Sequence, residues 1–327
     1  MNVLVSFFIF LIILFFYIHI IHQLKTSQDL EIYEMDYNSN AQLQEICEVK
    51  QPVLFEFKSI YPEFFEEISR DAVFSEYGSY DIKVKDTNDY YGPENSADYV
   101  LLSLQSSQKL FDSDPGSHYF SENNEEFMDE SGLYPLLSSM NDYIKPPLTF
   151  QTKFDILFGS KNTCTPLRYH MNYRHFYIVH SGKITVKMTP WKSHKYLHTV
   201  KDYENYEFRS PMNVWKPQKE FAQDYEKIRF LEFEVYAGHV LYIPPYWWYS
   251  IQYDTTTANN MIFSATYNST MNCVTQLPHY GIYFLQQANI YKKVANTKTI
   301  EIPEPIEPAD EISAEGPIKI DEIVGKL

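Results

Sequence analysis

The chain opens with a long apolar run and then changes to short alternating patterns. Residues Val3 to Ile21 are apolar apart from Ser6 and His19. A helix over this run would be roughly 28 Å long, close to the hydrocarbon thickness of a bilayer. No Lys or Arg precedes the run, and no Ala-x-Ala-like exit follows it, whereas a cleavable signal peptide has both features. We predict a single-pass, uncleaved signal anchor; a cleaved signal peptide and a buried soluble helix are the alternatives.

The charges around this run leave its orientation open. His22 and Lys25 follow it, and only the α-amine precedes it. The positive-inside rule therefore favours a cytosolic C-terminal domain slightly, and the side of the membrane stays undetermined.

Beyond the apolar run, alternation of apolar and polar residues is typical of β-strands. Ser181-Gly182, Ala237-Gly238 and Pro244-Pro245 are turn signals between the predicted strands. Many short strands with such turns imply a sandwich or a barrel. Helical spacing predicts flanking helices near residues 61–70, 118–142 and 283–293. The predicted strands span residues 152–158, 174–180, 183–189, 229–236, 239–243, 247–253 and 260–267.

Composition divides the chain into four predicted segments. They are a transmembrane signal anchor (1–24), a juxtamembrane stem (25–50), a mainly β domain (51–293, core 150–270) and an acidic, Pro-rich tail (294–327). Residues 201–228 are interpreted as a charged insertion between two strands. The tail has too few apolar residues to bury a core.

Charge and cysteine content exclude some classes of function. The formal net charge is −16, and no basic cluster interrupts it, so direct nucleic-acid binding is not expected. Cys47, Cys164 and Cys273 are far apart and lack zinc-site spacing, so free thiols are expected and one disulfide is the alternative. Aromatic residues make up 17% of the chain, which fits a β-rich core better than an aromatic recognition cage.

Several motifs resemble those of the Jumonji C and cupin-like 2-oxoglutarate oxygenases. The clearest is Gly238-His-Val-Leu-Tyr-Ile-Pro-Pro-Tyr-Trp-Trp-Tyr249, which is similar to the family's Gly-Asp-Val-Leu-Phe-Ile-Pro-Pro-Gly-Trp-Trp-His. Thr165-Pro-Leu is similar to the start of the family's Thr-Pro-Leu-His-x-Asp, and Phe176 to Pro190 resembles the segment that follows. The resemblance implies a double-stranded β-helix, also called a jelly roll, preceded here by the membrane helix.

The metal positions implied by this resemblance are all replaced. Such oxygenases hold Fe(II) with two His and one carboxylate. Counted from Thr165-Pro-Leu, the ligand positions are Arg168 and His170, and the distal position is Tyr249. A guanidinium has no free lone pair and cannot ligate a metal. A shifted register would make His170 and Asn172 the first pair, which leaves Tyr249 unchanged, so no metal is expected.

The cosubstrate position also departs from the family pattern. The family's Lys, which pairs with 2-oxoglutarate, falls at Ile184, and Lys183 is one residue away. A shift of one residue in a strand turns a side chain to the other face. Trp247 and Trp248 are predicted to form core and pocket wall. A new site that uses His170 and His239 is a further possibility, less favoured than ordinary structural roles.

These departures predict a membrane-anchored cupin-like domain, inactive as an oxygenase, that serves as a binding or structural module. No cofactor is then expected, and the partners are the membrane, through residues 3–21, and an unknown protein. The alternative is an active 2-oxoglutarate-dependent oxygenase of the protein hydroxylase type with unusual metal ligands, which would use Fe(II) and 2-oxoglutarate. A purely architectural role in a membrane-associated particle is a third possibility. Histone demethylation is not expected, because the membrane span separates the domain from chromatin.

Overall fold

The structure is a computed structural model that describes residues 3–289, apart from residues 94 and 257. The predicted tail at 294–327 and the last residues of the predicted helix at 283–293 lie outside this range. The helices are α1 (Val3–Leu24), α2 (Asn40–Cys47), α3 (Pro62–Glu67), α4 (Arg70–Glu76), α5 (Thr87–Tyr91), α6 (Leu104–Ser113), α7 (Glu125–Glu130), α8 (Tyr134–Ser138), α9 (Asn141–Ile144), α10 (Ala222–Tyr225) and α11 (Thr270–Asn289). Two 3-10 helices span Trp191–Tyr196 and Lys219–Phe221.

The strands form two facing sheets. In chain order they are β1 (Tyr33–Glu34), β2 (Val53–Glu56), β3 (Asp81–Asp86), β4 (Val100–Ser103), β5 (Tyr119–Ser121), β6 (Thr149–Gly159), β7 (Arg168–Tyr169), β8 (Arg174–Ser181), β9 (Lys183–Thr189), β10 (Val200–Asp202), β11 (Glu207–Arg209), β12 (Leu231–Tyr236), β13 (His239–Tyr242), β14 (Trp248–Tyr253) and β15 (Met261–Ser269). The larger sheet has the order β1-β2-β13-β8-β15-β6-β5-β3-β4, and the smaller β10-β11-β7-β14-β9-β12. Except for the parallel pair of β1 and β2, the named pairings are antiparallel.

The strand β8 shows how alternation builds three apolar layers. Phe176 and Ile178 face the helices α2 to α4 and α6 to α9, which cover the outer side of the larger sheet. Tyr177 and Val179 face the interior between the two sheets, because successive side chains of a strand point to opposite faces. A third layer covers the outer side of the smaller sheet and is formed largely by the segment from residue 191 to 230. The mainly β architecture with flanking helices is therefore confirmed.

Several segments differ from their expected form. The predicted insertion at 201–228 contains β11, which pairs with β7 and so belongs to the smaller sheet. The stretch expected to be helical at 118–142 begins with β5, which pairs with β6 before α7 starts. Within the predicted stem, α2 places Leu43 and Cys47, both fully buried, in the core. Apolar residues upstream of residue 51 thus contribute to the folded domain.

The helix α1 is long and apolar enough to cross a membrane, as a signal sequence near an N-terminus would also be. Its mean hydropathy is 2.8 over the most apolar window, and none of that window is buried.

Candidate functional site

A cavity of about 420 Å³ lies between the two sheets, at one end of the barrel. Its walls come from β6, β7, β8, β11, β14 and β15, with α11 and the turn before β11 at the rim. The volume is within the range of small-molecule pockets. Polar and aromatic side chains share the lining, including Asp155, His175, Tyr177, Ser264 and Asn268.

The structure brings the three family-equivalent metal positions together in this cavity. In the smaller sheet, Arg168 on β7 stands directly opposite Tyr249 on β14. The guanidinium carbon of Arg168 is 5.7 Å from the centroid of the Tyr249 ring, which is a cation–π contact. The ring of His170 lies 5.9 Å from the Tyr249 ring, measured between centroids.

Arg168 is held by a buried carboxylate. Both terminal nitrogens of its guanidinium donate to the two carboxylate oxygens of Glu122, which gives a bidentate pair. Lys85 Nζ donates to the same carboxylate at 2.9 Å. Glu207 lies 3.8 Å from Arg168 and 3.7 Å from Lys85, and its other oxygen lies 3.6 Å from Arg209, which also pairs with Asp202. The centre of the site is therefore filled by charged side chains that pair with one another.

The ion pair fixes the charge state of the centre. Burial alone would raise the pKa of Glu122, but Arg168 and Lys85 outweigh it and lower that pKa to about 2. Burial alone would lower the pKa of Arg168, but Glu122 outweighs it and raises that pKa well above its usual value. Burial also raises the pKa of Tyr249, against the opposing effect of Arg168, so its phenol stays protonated at neutral pH.

His170 uses both of its ring nitrogens within the protein. The backbone N–H of Asn172 donates to Nδ1 at 3.2 Å, which makes Nδ1 an acceptor. The proton therefore sits on Nε2, which donates to the carbonyl oxygen of Ile243 at 3.1 Å. Burial lowers the pKa of His170 to about 3, so the ring is neutral at physiological pH.

These side chains do not fit the Fe(II) centre that the resemblance implies. Arg168 offers no lone pair, Tyr249 carries a neutral phenol, and both nitrogens of His170 are occupied. The shifted register fails for the same reason, because the N–H of Asn172 itself occupies Nδ1 of His170. Among residues 3–289, without 94 and 257, no group of three or more His, Cys, Asp and Glu side chains could hold a metal ion.

The two candidate cosubstrate positions lie away from the cavity. Ile184 is fully buried in the apolar interior, opposite Val235 and Tyr253. Lys183 points to the other face of β9, where its Nζ is 2.6 Å from Glu234 Oε1 at the surface. Neither side chain is placed to bind an acid within the cavity.

Trp247 and Trp248, predicted as core and pocket wall, do not line this cavity. Both are fully buried, Trp247 between the sheets and Trp248 in the layer outside the smaller sheet. Trp248 packs at 4.8 Å against Tyr169, centroid to centroid, because their strands are neighbours. His239, on β13, lies opposite Glu56 on β2 and is not among the residues that line the cavity with His170.

Three acidic residues of the site, Glu122, Asp155 and Glu207, were missed by sequence reasoning. Glu122 follows β5 and comes 46 residues before its partner Arg168, so no local spacing connects them. Asp155 accepts backbone N–H groups from Asn123, Asn124 and Ile156 at 2.7–2.8 Å. Burial raises the pKa of Asp155 to about 7, although these hydrogen bonds act against the shift. The only available signal for Asp155 was its carboxylate within the apolar half of β6, between Phe154 and Ile156.

A family model described as a cupin-like domain matches residues 41–272 of the chain. A search of curated proteins finds no match to the chain. The family match covers the strands β2 to β15 and most of the cavity lining, and it ends just after α11 begins. The chain therefore belongs to the family of cupin-like domains of the Jumonji C type.

Proposed function

We propose that this protein is a membrane-anchored cupin-like domain that lacks iron- and 2-oxoglutarate-dependent catalysis and acts as a binding module. The observation that carries this proposal is the bidentate pair between Arg168 and Glu122 at the family's metal position. A buried pair of this kind holds its two charges in place, since separating them would leave each one unpaired away from water. The centre is thus built as a stable polar core with no vacancy for a cation.

Binding is supported by the space that remains beside this core. The cavity is large enough for a small molecule, and three of its buried polar atoms have no hydrogen-bond partner among the described residues. They are Nε of Arg168, Nδ1 of His175 and Oε1 of Glu207, the last of which lies 3.6 Å from the Arg209 guanidinium. Buried polar atoms are normally satisfied, so the first two favour a ligand or ordered water that would complete their hydrogen bonds.

Membrane anchoring is supported by α1. Its 22 residues would extend about 33 Å as an α-helix, enough to cross the apolar part of a bilayer. A cleaved signal sequence would have the same properties, so the intact mass of the mature protein distinguishes the two.

The test of the proposal compares metal content and turnover. The full-length protein is purified in detergent without added metal, and its iron is measured by mass spectrometry. It is then supplied with Fe(II), ascorbate and 2-oxoglutarate, and succinate is measured. We expect no stoichiometric iron and no succinate above the protein-free background.

The matched control is His170→Ala, which removes the one family-equivalent side chain able to ligate a metal. We expect this variant to give the same background as the parent. Stoichiometric iron in the parent, or succinate formation that His170→Ala abolishes, would instead support the oxygenase with unusual ligands.

A further inference from the structure

One end of the barrel carries the attachment of α1. At this end β8 begins at Arg174 and β15 approaches its last residue, since Arg174 stands opposite Tyr267. Arg174 also pairs with Glu48, just after α2. Glu48 lies 3.6 Å from His22, and Lys50 donates to the carbonyl oxygen of His22 at the end of α1. These contacts fix the C-terminal end of α1 to this end of the barrel.

The same end exposes large apolar side chains. β6 begins here, because Thr149 stands opposite Ser269, and the neighbouring Leu148 and Phe150 are 88% and 73% exposed. α11 starts directly after Ser269 and continues the exposed apolar surface. Its exposed members are Leu277, Ile282, Phe284 and Leu285, with 60%, 45%, 66% and 66% exposure. We call Leu148, Phe150 and these four residues of α11 the apolar end face.

The composition of α11 is unusual for a helix exposed to water. Its 20 residues include no Asp, Glu, Lys or Arg, although charged residues make up 21% of the chain. Its inner side packs on the domain through polar contacts, such as Gln276 Nε2 to the carbonyl oxygen of Met171 at 2.8 Å. Its exposed side is mainly apolar and carries no charge, with Gln286 and Gln287 among its polar members, which fits a lipid–water interface better than water alone.

α11 also packs against α1. If α1 spans a bilayer, the part of α11 beside it meets the same lipid. The position beside α1, the absence of charge and the exposed apolar side chains all favour one occupant, a lipid bilayer surface.

We infer that the apolar end face rests on the bilayer, with α11 lying at the lipid–water interface beside α1. This inference depends on the proposed membrane anchor. It also positions the cavity, because Tyr280, Tyr283 and Phe284 of α11 line the cavity rim. The cavity mouth then opens at the level of the lipid headgroups, so its ligand is taken up at the membrane surface.

Depth-dependent quenching in lipid nanodiscs tests this arrangement on the full chain. The background variant carries Cys164→Ser and Cys273→Ser, and Cys47 is fully buried. An environment-sensitive fluorophore is attached at Leu285→Cys on α11 or Phe10→Cys on α1. The matched control is Tyr236→Cys, an exposed aromatic position that lies opposite Lys183, at the other end of the barrel. Quenchers are nitroxide phosphatidylcholines labelled near the headgroup or mid-chain, and aqueous iodide.

We expect the Leu285→Cys label to lose most of its fluorescence to the headgroup nitroxide and little to iodide. The Tyr236→Cys label should show the reverse, and the Phe10→Cys label should respond to the mid-chain nitroxide. If the α1 label responds to lipid while the α11 label behaves like the Tyr236→Cys control, the inference fails and the anchor stands. An α11 label shielded from both lipid and iodide would show a protein cover, such as a second copy, and would also overturn it. An α1 label that responds only to iodide would reject the anchor itself.

Discussion

Arg168 is the residue that most changes the chemistry of this cupin-like site. It introduces a permanent positive charge where the family pattern has an imidazole, and a buried charge requires a partner. Glu122 supplies that partner, Lys85 and Glu207 extend the pair, and Tyr249 covers the guanidinium. The side chains at the family-equivalent metal positions therefore depend on one another.

Replacing Arg168 alone should be costly. In Arg168→Met, Glu122 keeps Lys85 but loses its bidentate partner, and breaking a buried pair typically costs about 3–5 kcal/mol of unfolding free energy. The double variant Arg168→Met with Glu122→Gln should lose less unfolding free energy, because residue 122 then carries no charge that lacks its bidentate partner. Urea unfolding in detergent, followed by tryptophan fluorescence, measures both. A single variant as stable as the parent would contradict a buried pair at this position.

Glu122 should make the protein sensitive to acid. Its pKa is about 2 in the fold, below the ordinary value of 4.5, so its ionised form stabilises the folded state. That contribution is complete above pH 4.5 and is lost as the pH falls toward 2. In Glu122→Gln, the unfolding free energy should be lower at neutral pH and should fall less between pH 4.5 and 2. Equal slopes for parent and variant in this window would contradict the assignment.

His170 should remain a neutral ring with its proton on Nε2. Burial lowers its pKa to about 3, and the N–H of Asn172 occupies Nδ1. Nitrogen-15 NMR of the imidazole should show this tautomer unchanged from pH 8 down to about pH 4. His198, whose ring lies at the surface beside Asp224, is the internal comparison for a solvent-exposed ring. A protonated His170 ring at pH 6, or a proton on Nδ1, would contradict the hydrogen bonds that exclude a metal.

At the scale of secondary structure, the strands of four or more residues within residues 150–270 were predicted, and those of two or three residues were not. β8, β9, β14 and β15 each carry six or more residues of alternating or continuous apolar pattern, and all were predicted. β7 has two residues, too few for any periodicity, yet it places Arg168 opposite Tyr249. Motif spacing therefore identified Arg168 and Tyr249, whereas Glu122 required the three-dimensional pairing of β5 with β6.

The turn between β8 and β9 depends on Gly182. Its φ is +75°, and an added Cβ would lie 2.5 Å from Asn260 Oδ1 and 2.8 Å from the carbonyl oxygen of Asn259. Gly182→Ala should lower the unfolding free energy by at least about 1–2 kcal/mol, from the left-handed conformation alone. Gly281→Ala is the matched control, because no atom within 4 Å meets its added Cβ and alanine favours a helix. Thermal unfolding of both variants distinguishes them, and equal stability would contradict the strained turn.

At the scale of the whole molecule, the sequence predicted the layers of the domain better than its edges. The alternating core at 150–270 and the resemblance of its motifs lead to the same fold as the family match. The contribution of α2 to the hydrophobic core could not be predicted from the sequence. Only half of its eight residues are apolar, and they pack against residues that are distant in the chain. The apolar end face was missed for a related reason, since Leu148 and α11 are far apart in the chain.

The anchor should remain in the mature protein and hold it in the membrane. When the full-length protein is expressed with its own N-terminus, alkaline carbonate should leave it in the membrane pellet, because α1 is embedded in lipid rather than bound by charge. The intact mass should include residues 3–24. Release into the supernatant, with a mass lacking these residues, would show a cleaved signal sequence instead.

The most direct test of the account is a crystal structure of the domain soaked with Mn(II) and 2-oxoglutarate. We predict that Arg168 remains paired with Glu122, that His170 keeps its bonds to Asn172 and Ile243, and that no metal occupies the centre. Metal density within roughly 2.0–2.4 Å of a His170 nitrogen would contradict the central claim that this cupin-like cavity has exchanged its metal site for an ion pair.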